Sequence, residues 1–133
     1  MKKVYQTRYG EKEGNCFQAA LASLFELELE EVPDFCNIYS IETEEWYEEF
    51  LKWLQKRGYS SVPLYFKETV EHPLRYKNCL LLVTGKTQDE VNHCVIYKNG
   101  KSIHNPNKNC KGIKPETIDI IFPIDVTSER LVK

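Results

Sequence analysis

The chain has 133 residues, of which 41 % are hydrophobic and 29 % charged, and a formal net charge of −2. This length suits one domain, residues 1–133, around a single core, and the composition excludes a disordered or collagen-like chain. The near-neutral balance has no basic stripe, which argues against a nucleic-acid partner, and the longest apolar run, Cys79–Val83, is far too short to cross a bilayer.

The opening Met1–Arg8 carries positive charge with no apolar segment behind it, so no membrane association and a cytoplasmic location are expected. Gly10 and Gly14 break the pattern before a helix that should begin at about Cys16. Phe17, Leu21, Leu24 and Phe25 recur at helical spacing, and Asn15 stands where an N-cap belongs. Leu27 to Phe35 contains Val32-Pro33-Asp34 and reads as a turn or short helix end. A second helix is predicted from about Glu44 to Arg57, capped by Thr43 and closed by Gly58, with Trp46, Phe50, Trp53 and Leu54 as its core stripe. The acidic cluster at its start, Glu42 to Glu49, is read as a solvated face favoured by the helix dipole.

From Tyr59 the periodicity becomes that of strands. Tyr59–Phe66 contains Pro63 and is expected at a sheet edge. Cys79–Val83 is a short continuous apolar run and so a buried central strand, followed by a polar loop from Gly85 to Asn92. His93–Tyr97 and Lys101–Asn105 are two strands joined across Lys98-Asn99-Gly100, and Thr117–Ile121 is a last, β-branched strand. Helices followed by strands indicate an α+β domain with an antiparallel sheet.

Three residues in this frame bear chemistry. Cys16 opens a helix, where free backbone N–H groups and the helix dipole favour a thiolate and can hold an oxyanion. His93 begins a strand after a polar loop, and Asn105 ends the strand that follows. A two-residue turn would pair Lys98 with Lys101 and place Cys94 opposite Asn105. A three-residue turn with a glycine bulge would instead pair Tyr97 with Lys101, Val95 with Ile103 and His93 with Asn105. The second register is preferred, because it sets His93 and Asn105 side by side, where an amide oxygen fixes the imidazole tautomer. Cysteine, base and orienter then form an activated-nucleophile set.

Gly14-Asn15-Cys16-Phe17-Gln18-Ala19-Ala20 resembles the nucleophile-bearing helix start of papain-like cysteine peptidases. Asn92-His93-Cys94-Val95-Ile96-Tyr97 and Ser102-Ile103-His104-Asn105-Pro106 resemble their His and Asn strands. The resemblance is to the compact bacterial and phage members, including C39-like peptidases and NlpC/P60 hydrolases. It implies a papain-like fold with the nucleophile helix packed on the sheet, and Cys16 as nucleophile, His93 as base and Asn105 as orienter. It also implies an oxyanion-hole glutamine upstream of the cysteine, for which Gln6 is the candidate, and a peptide or protein substrate with an amide bond to be hydrolysed or transferred. Gln18, two residues along the helix, should point away from Cys16. No cofactor is expected.

Three other readings compete, one of them an acyl transferase or amidase with the same triad: a deamidase, transglutaminase or deconjugating enzyme. The same fold could act as a binding or antagonist module without chemistry. A zinc site would draw on His93, Cys94, His104 and Cys110, but His93 and Cys94 point to opposite faces of a strand, and no CxxC pair is present among the five cysteines. His104 is read as structural, and His72, before Pro73, has no assigned role. Substrate choice is expected from the loops Lys67–Asn78 and Gly85–Asn92.

Overall fold

The computed structural model describes residues 1–65 and 78–124. Three helices, α1 (Cys16–Phe25), α2 (Phe35–Ile38) and α3 (Glu45–Lys56), precede five strands, β1 (Tyr59–Tyr65), β2 (Leu80–Lys86), β3 (Asn92–Lys98), β4 (Lys101–His104) and β5 (Lys114–Pro123). The strands form one antiparallel sheet in the order β1-β5-β2-β3-β4, so the protein is α+β. Pro63 lies on an edge strand, where its missing N–H costs least, and β2 is central, as its apolar run requires. Among the described residues no helix is long and apolar enough to cross a membrane. Phe66, His72 and most of the Lys67–Asn78 loop lie outside the described residues.

The helices cover one face of the sheet. Phe17, Leu21, Phe35, Phe50 and Leu54 pack against Leu82, Cys94 and Ile96, while Leu81, Val83, Val95 and Ile118 form a second cluster on the opposite face. Burial on both faces explains why β2 reads as continuous apolar sequence instead of alternating. Aromatic edges lock the helical layer: Phe17–Phe50 at 5.0 Å, Phe17–Trp46 at 5.4 Å and Phe25–Trp53 at 5.3 Å between ring centroids. Each such pair contributes about 0.5–1.5 kcal/mol beyond its buried area.

Several boundaries differ from the sequence reading. Leu27–Phe35 resolves into a short 3-10 turn, Leu29–Glu31, before α2. Thr43 does not cap α3. Glu44 occupies the cap with φ 60° and no side-chain cap bond. β2 runs on through Gly85 and Lys86, and β5 starts at Lys114, because a bulge between Thr84 and Gly85 absorbs the irregularity that Pro115 introduces. Glycine is required there: a Cβ on Gly85 would lie 1.9 Å from the Lys114 carbonyl oxygen.

The β3–β4 turn also differs. It is the two-residue form, with Lys98 opposite Lys101 and positive φ at Asn99 (54°) and Gly100 (78°). The register then shifts within the ladder: Tyr97 faces Ser102, but Ile96 faces His104, leaving Ile103 as the extra residue. This bulge returns Asn105 to the parity of Val95 and His93 and places His104 on that of Ile96, by the alternation of strand side chains. The preferred turn is therefore corrected, while the shared face of His93 and Asn105 arises by another route. Ile103 packs with the helix-side cluster and not behind His93.

Candidate active site

A looped strap delivers the nucleophile candidate. Gly14 N donates to the Gly10 oxygen at 3.0 Å, and a Cβ on Gly14 would lie 2.4 Å from that oxygen, so the loop closes tightly before Cys16. Asn15 sits at the N-cap position of α1 but makes no side-chain cap bond. Its buried amide instead holds the strap. Oδ1 accepts from the N–H groups of Thr7 (3.0 Å) and Arg8 (2.9 Å), and Nδ2 donates to Thr7 Oγ1 (3.1 Å) and Gln18 Oε1 (3.2 Å). The first intrahelical bond runs from Ala19 N to the Asn15 oxygen, so the N–H groups of Cys16 and Phe17 have no intrahelical partner. Gln18 Nε2 donates to the carbonyls of Leu29 (3.0 Å) and Val32 (2.8 Å), which fixes it away from Cys16.

His93 is buried, with its Nε2 2.6 Å from Asn105 Oδ1. The orientation of Asn105 is settled by its neighbours: Nδ2 donates to the Cys110 carbonyl (3.1 Å), and Oδ1 accepts from Asn107 N (3.0 Å). An oxygen already facing His93 can only accept from it, so Nε2 carries the hydrogen and Nδ1 the lone pair. His93 is therefore the tautomer a general base requires.

Cys16, His93 and Gln6 line one cavity of about 160 Å3, with Gln88, Asn107 and Cys110 among its other walls. The cavity sits where β4 has ended: β4 pairs with β3 only over Ile96–Lys98, leaving residues 92–95, among the described residues, without a strand on that side. Of the two loops expected to shape the site, the second contributes Thr87, Gln88, Asp89 and Val91.

The resting site is neutral. Burial pushes the Cys16 thiol up from 9.0, outweighing the N–H groups of Cys94, Phe17 and Cys16 that favour a thiolate. The expected low thiol pKa at the helix N-terminus is therefore corrected: desolvation wins. Burial likewise lowers His93 below 6.5, against the Asn105 hydrogen bond, which favours the charged ring. Among the described residues no hydrogen bond joins the Cys16 sulfur to His93.

Gln6 folds back across the glycines to line the same cavity as Cys16. Its backbone N–H donates to the Pro106 carbonyl (3.0 Å) and its Nε2 to the Arg8 carbonyl (2.9 Å). Its Oε1 is buried and, among the described residues, has no hydrogen-bond partner. Sequence reasoning missed the clamp behind this strap. The Arg8 guanidinium pairs with the buried Asp34 carboxylate, and Asn37 Nδ2 donates to Asp34 Oδ2 (2.8 Å) and to the Gly14 carbonyl (3.2 Å). Only Val32-Pro33-Asp34 was visible as a turn, with nothing to tie it to Arg8.

His104 Nε2 donates to the Val4 carbonyl at 2.7 Å, on the face away from His93. Among the described residues no three of His, Cys, Asp and Glu gather as metal ligands. No family model, curated protein or solved structure matches this chain.

Proposed function

We propose that the protein is a cysteine hydrolase or acyl transferase of the papain-like type, acting on an amide bond of a peptide or protein. The observation that carries this reading is the His93–Asn105 hydrogen bond of 2.6 Å, which leaves Nδ1 as the basic nitrogen of a ring that shares a cavity with Cys16.

With both groups neutral at rest, activation is by proton transfer and not by a standing ion pair. As the Cys16 sulfur attacks an acyl carbon, its proton passes to His93 Nδ1. Asn105 Oδ1 steadies the imidazolium. The Cys16 N–H and the second Gln6 Nε2 hydrogen receive the oxyanion. His93 then protonates the leaving group, and after its departure draws a proton from water to release the thioester. General-base assistance of this kind contributes about 10²–10⁴-fold.

The absence of a resting Cys16–His93 hydrogen bond is also compatible with a binding module on the same fold, and one experiment separates the two. The wild type and His93→Ala are treated with an activated acetyl ester, and acetylation is mapped cysteine by cysteine. The hydrolase reading expects Cys16 to acylate first and to slow about a hundredfold or more without His93. If Cys16 acylates no faster than Cys79 or Cys110, or is indifferent to His93, the binding reading replaces it.

A further inference from the structure

We infer that the substrate is an acidic polypeptide, bound so that Asp and Glu residues on one side of the reacting amide lie along a basic face leading to the cavity. The inference rests on the hydrolase reading and narrows its substrate.

The net charge of −2 is made of two unequal regions. Residues 1–10 and 91–115 together hold eight of the 18 lysines and arginines and none of the 20 aspartates and glutamates. Their formal charge is +8, and that of the rest of the chain is −10. The two basic segments stand far apart in sequence, and the fold joins them. His104 Nε2 is bonded to the Val4 carbonyl, Gln6 N donates to the Pro106 carbonyl, and Lys108 Nζ lies 4.3 Å from the centre of the Tyr5 ring. Their charges therefore act from one side of the molecule.

Between the strap and β4 lies a groove of about 380 Å3. Its walls include Lys3, Tyr5, Ser102 and Lys108, and among the described residues no carboxylate lines it. The groove meets the Cys16 cavity at a shared wall, because Asn107 and Cys110 line both. Lys111 lines the cavity itself. Lys3, Lys108 and Lys111 are exposed, and among the described residues none of them pairs with a carboxylate. Lys2 and Arg8, by contrast, already pair with Glu28 and Asp34. Uncompensated charge of one sign beside a cavity raises the local concentration of ligands of the other sign and speeds their capture.

The opposite wall differs in sign. The β2–β3 loop brings Asp89 to the cavity and Glu90 to the depression beyond it, where Lys86 is already paired with Glu11. Acidic residues are thus favoured on the strap side of the reacting amide and not on the loop side. The occupant is a polypeptide because the chemistry beside the groove acts on an acyl amide, which a phosphate backbone does not offer.

The test uses two series of thioesters, each carrying Glu-Glu-Glu, Gln-Gln-Gln or Lys-Lys-Lys. In one series the tripeptide precedes an acyl-donating glycine. In the other it is attached to the thiol that leaves from an acetylglycyl group. In both, a C–S bond forms at Cys16, the original C–S bond breaks, and the Cys16 proton departs on the leaving thiol. The rate of Cys16 acylation is followed by mass. At low salt the Glu form is expected to exceed the Gln form about tenfold in one series, with the Lys form slowest. The Glu-to-Gln ratio should shrink toward one at about 1 M salt, where screening acts within about 3 Å. Lys3→Gln/Lys108→Gln/Lys111→Gln should also bring it to about one, and a ratio taken within one protein is not mimicked by loss of folded material. Lys52→Gln/Lys56→Gln, on α3, should leave it near the wild-type value. Equal rates for the three forms in both series, a ratio that the groove variant retains, or an equal loss in the α3 variant would overturn the acidic-substrate assignment and leave the hydrolase intact. A single-stranded oligonucleotide bound by the wild type and not by the groove variant would then assign the face to nucleic acid. Failure of every thioester to acylate Cys16 faster than Cys79 would remove the hydrolase reading, and the inference with it.

Discussion

The two described histidines lie on neighbouring strands and are equally buried, at 4 % exposed each, yet their surroundings differ in kind. His104 directs Nε2 at a backbone carbonyl, Val4, and stacks edge-on against Tyr5 at 5.1 Å, so its hydrogen bond fastens the N-terminal strap to the sheet. His93 directs Nε2 at a side-chain amide whose other bonds are already fixed, and its ring borders a polar cavity. Burial and residue type do not distinguish the two histidines. What distinguishes them is the partner of Nε2, a backbone carbonyl for His104 and a side-chain amide for His93, and the cavity that His93 shares with Cys16.

The largest expected effect sharpens this contrast. His93→Ala should lower acylation of Cys16 in folded protein by about 10²–10⁴-fold, whereas His104→Ala should leave the acylation of folded protein near wild type. Comparable loss of acylation in both would break the comparison. Next in size, His104→Ala should cost about 1–3 kcal/mol, because it leaves the Val4 carbonyl without its donor, as read from denaturant midpoints. A third effect is shared. Burial lowers both imidazoles below 6.5, so the unfolded chain takes up protons before the folded one does. Stability is therefore full above 6.5 and is lost as the pH falls through it, and replacing both histidines by glutamine should flatten that profile between about pH 8 and about pH 5. The smallest effect is at the turn. Gly100 has φ 78°, so Gly100→Ala should cost about 1 kcal/mol without moving the bulge at Ile103 or the His93–Asn105 contact. Loss of acylation in that variant would show that the turn, and not the bulge, sets the site.

The α+β class, the central strand and the edge position of Pro63 were legible because each follows from local periodicity or a missing donor. The positions of Cys16, His93 and Asn105 were legible as candidates for the same reason: a helix start and two strand ends. The hairpin differs from the expected register because Asn99-Gly100 forms a two-residue turn, while the bulge lies at Ile103, where no residue type announces it. Asn15 was recognised as a cap by its position, but its four hydrogen bonds run to Thr7, Arg8 and Gln18, and such side-chain partners leave no periodic trace. Desolvation of Cys16 depends on what the chain folds over it, which a helix N-terminus alone does not reveal.

The strap has a consequence for the order in which the molecule is made. Val4 is fastened to His104, 100 residues on, and Gln6 to Pro106. Closing so long a loop is entropically slow, so these contacts should form after the helices and the local β3–β4 hairpin. A chain emerging from the ribosome therefore carries Cys16 long before its strap is fastened: until residues 104–106 arrive, Val4 and Gln6 lack the partners that tie them to the far end of the sequence.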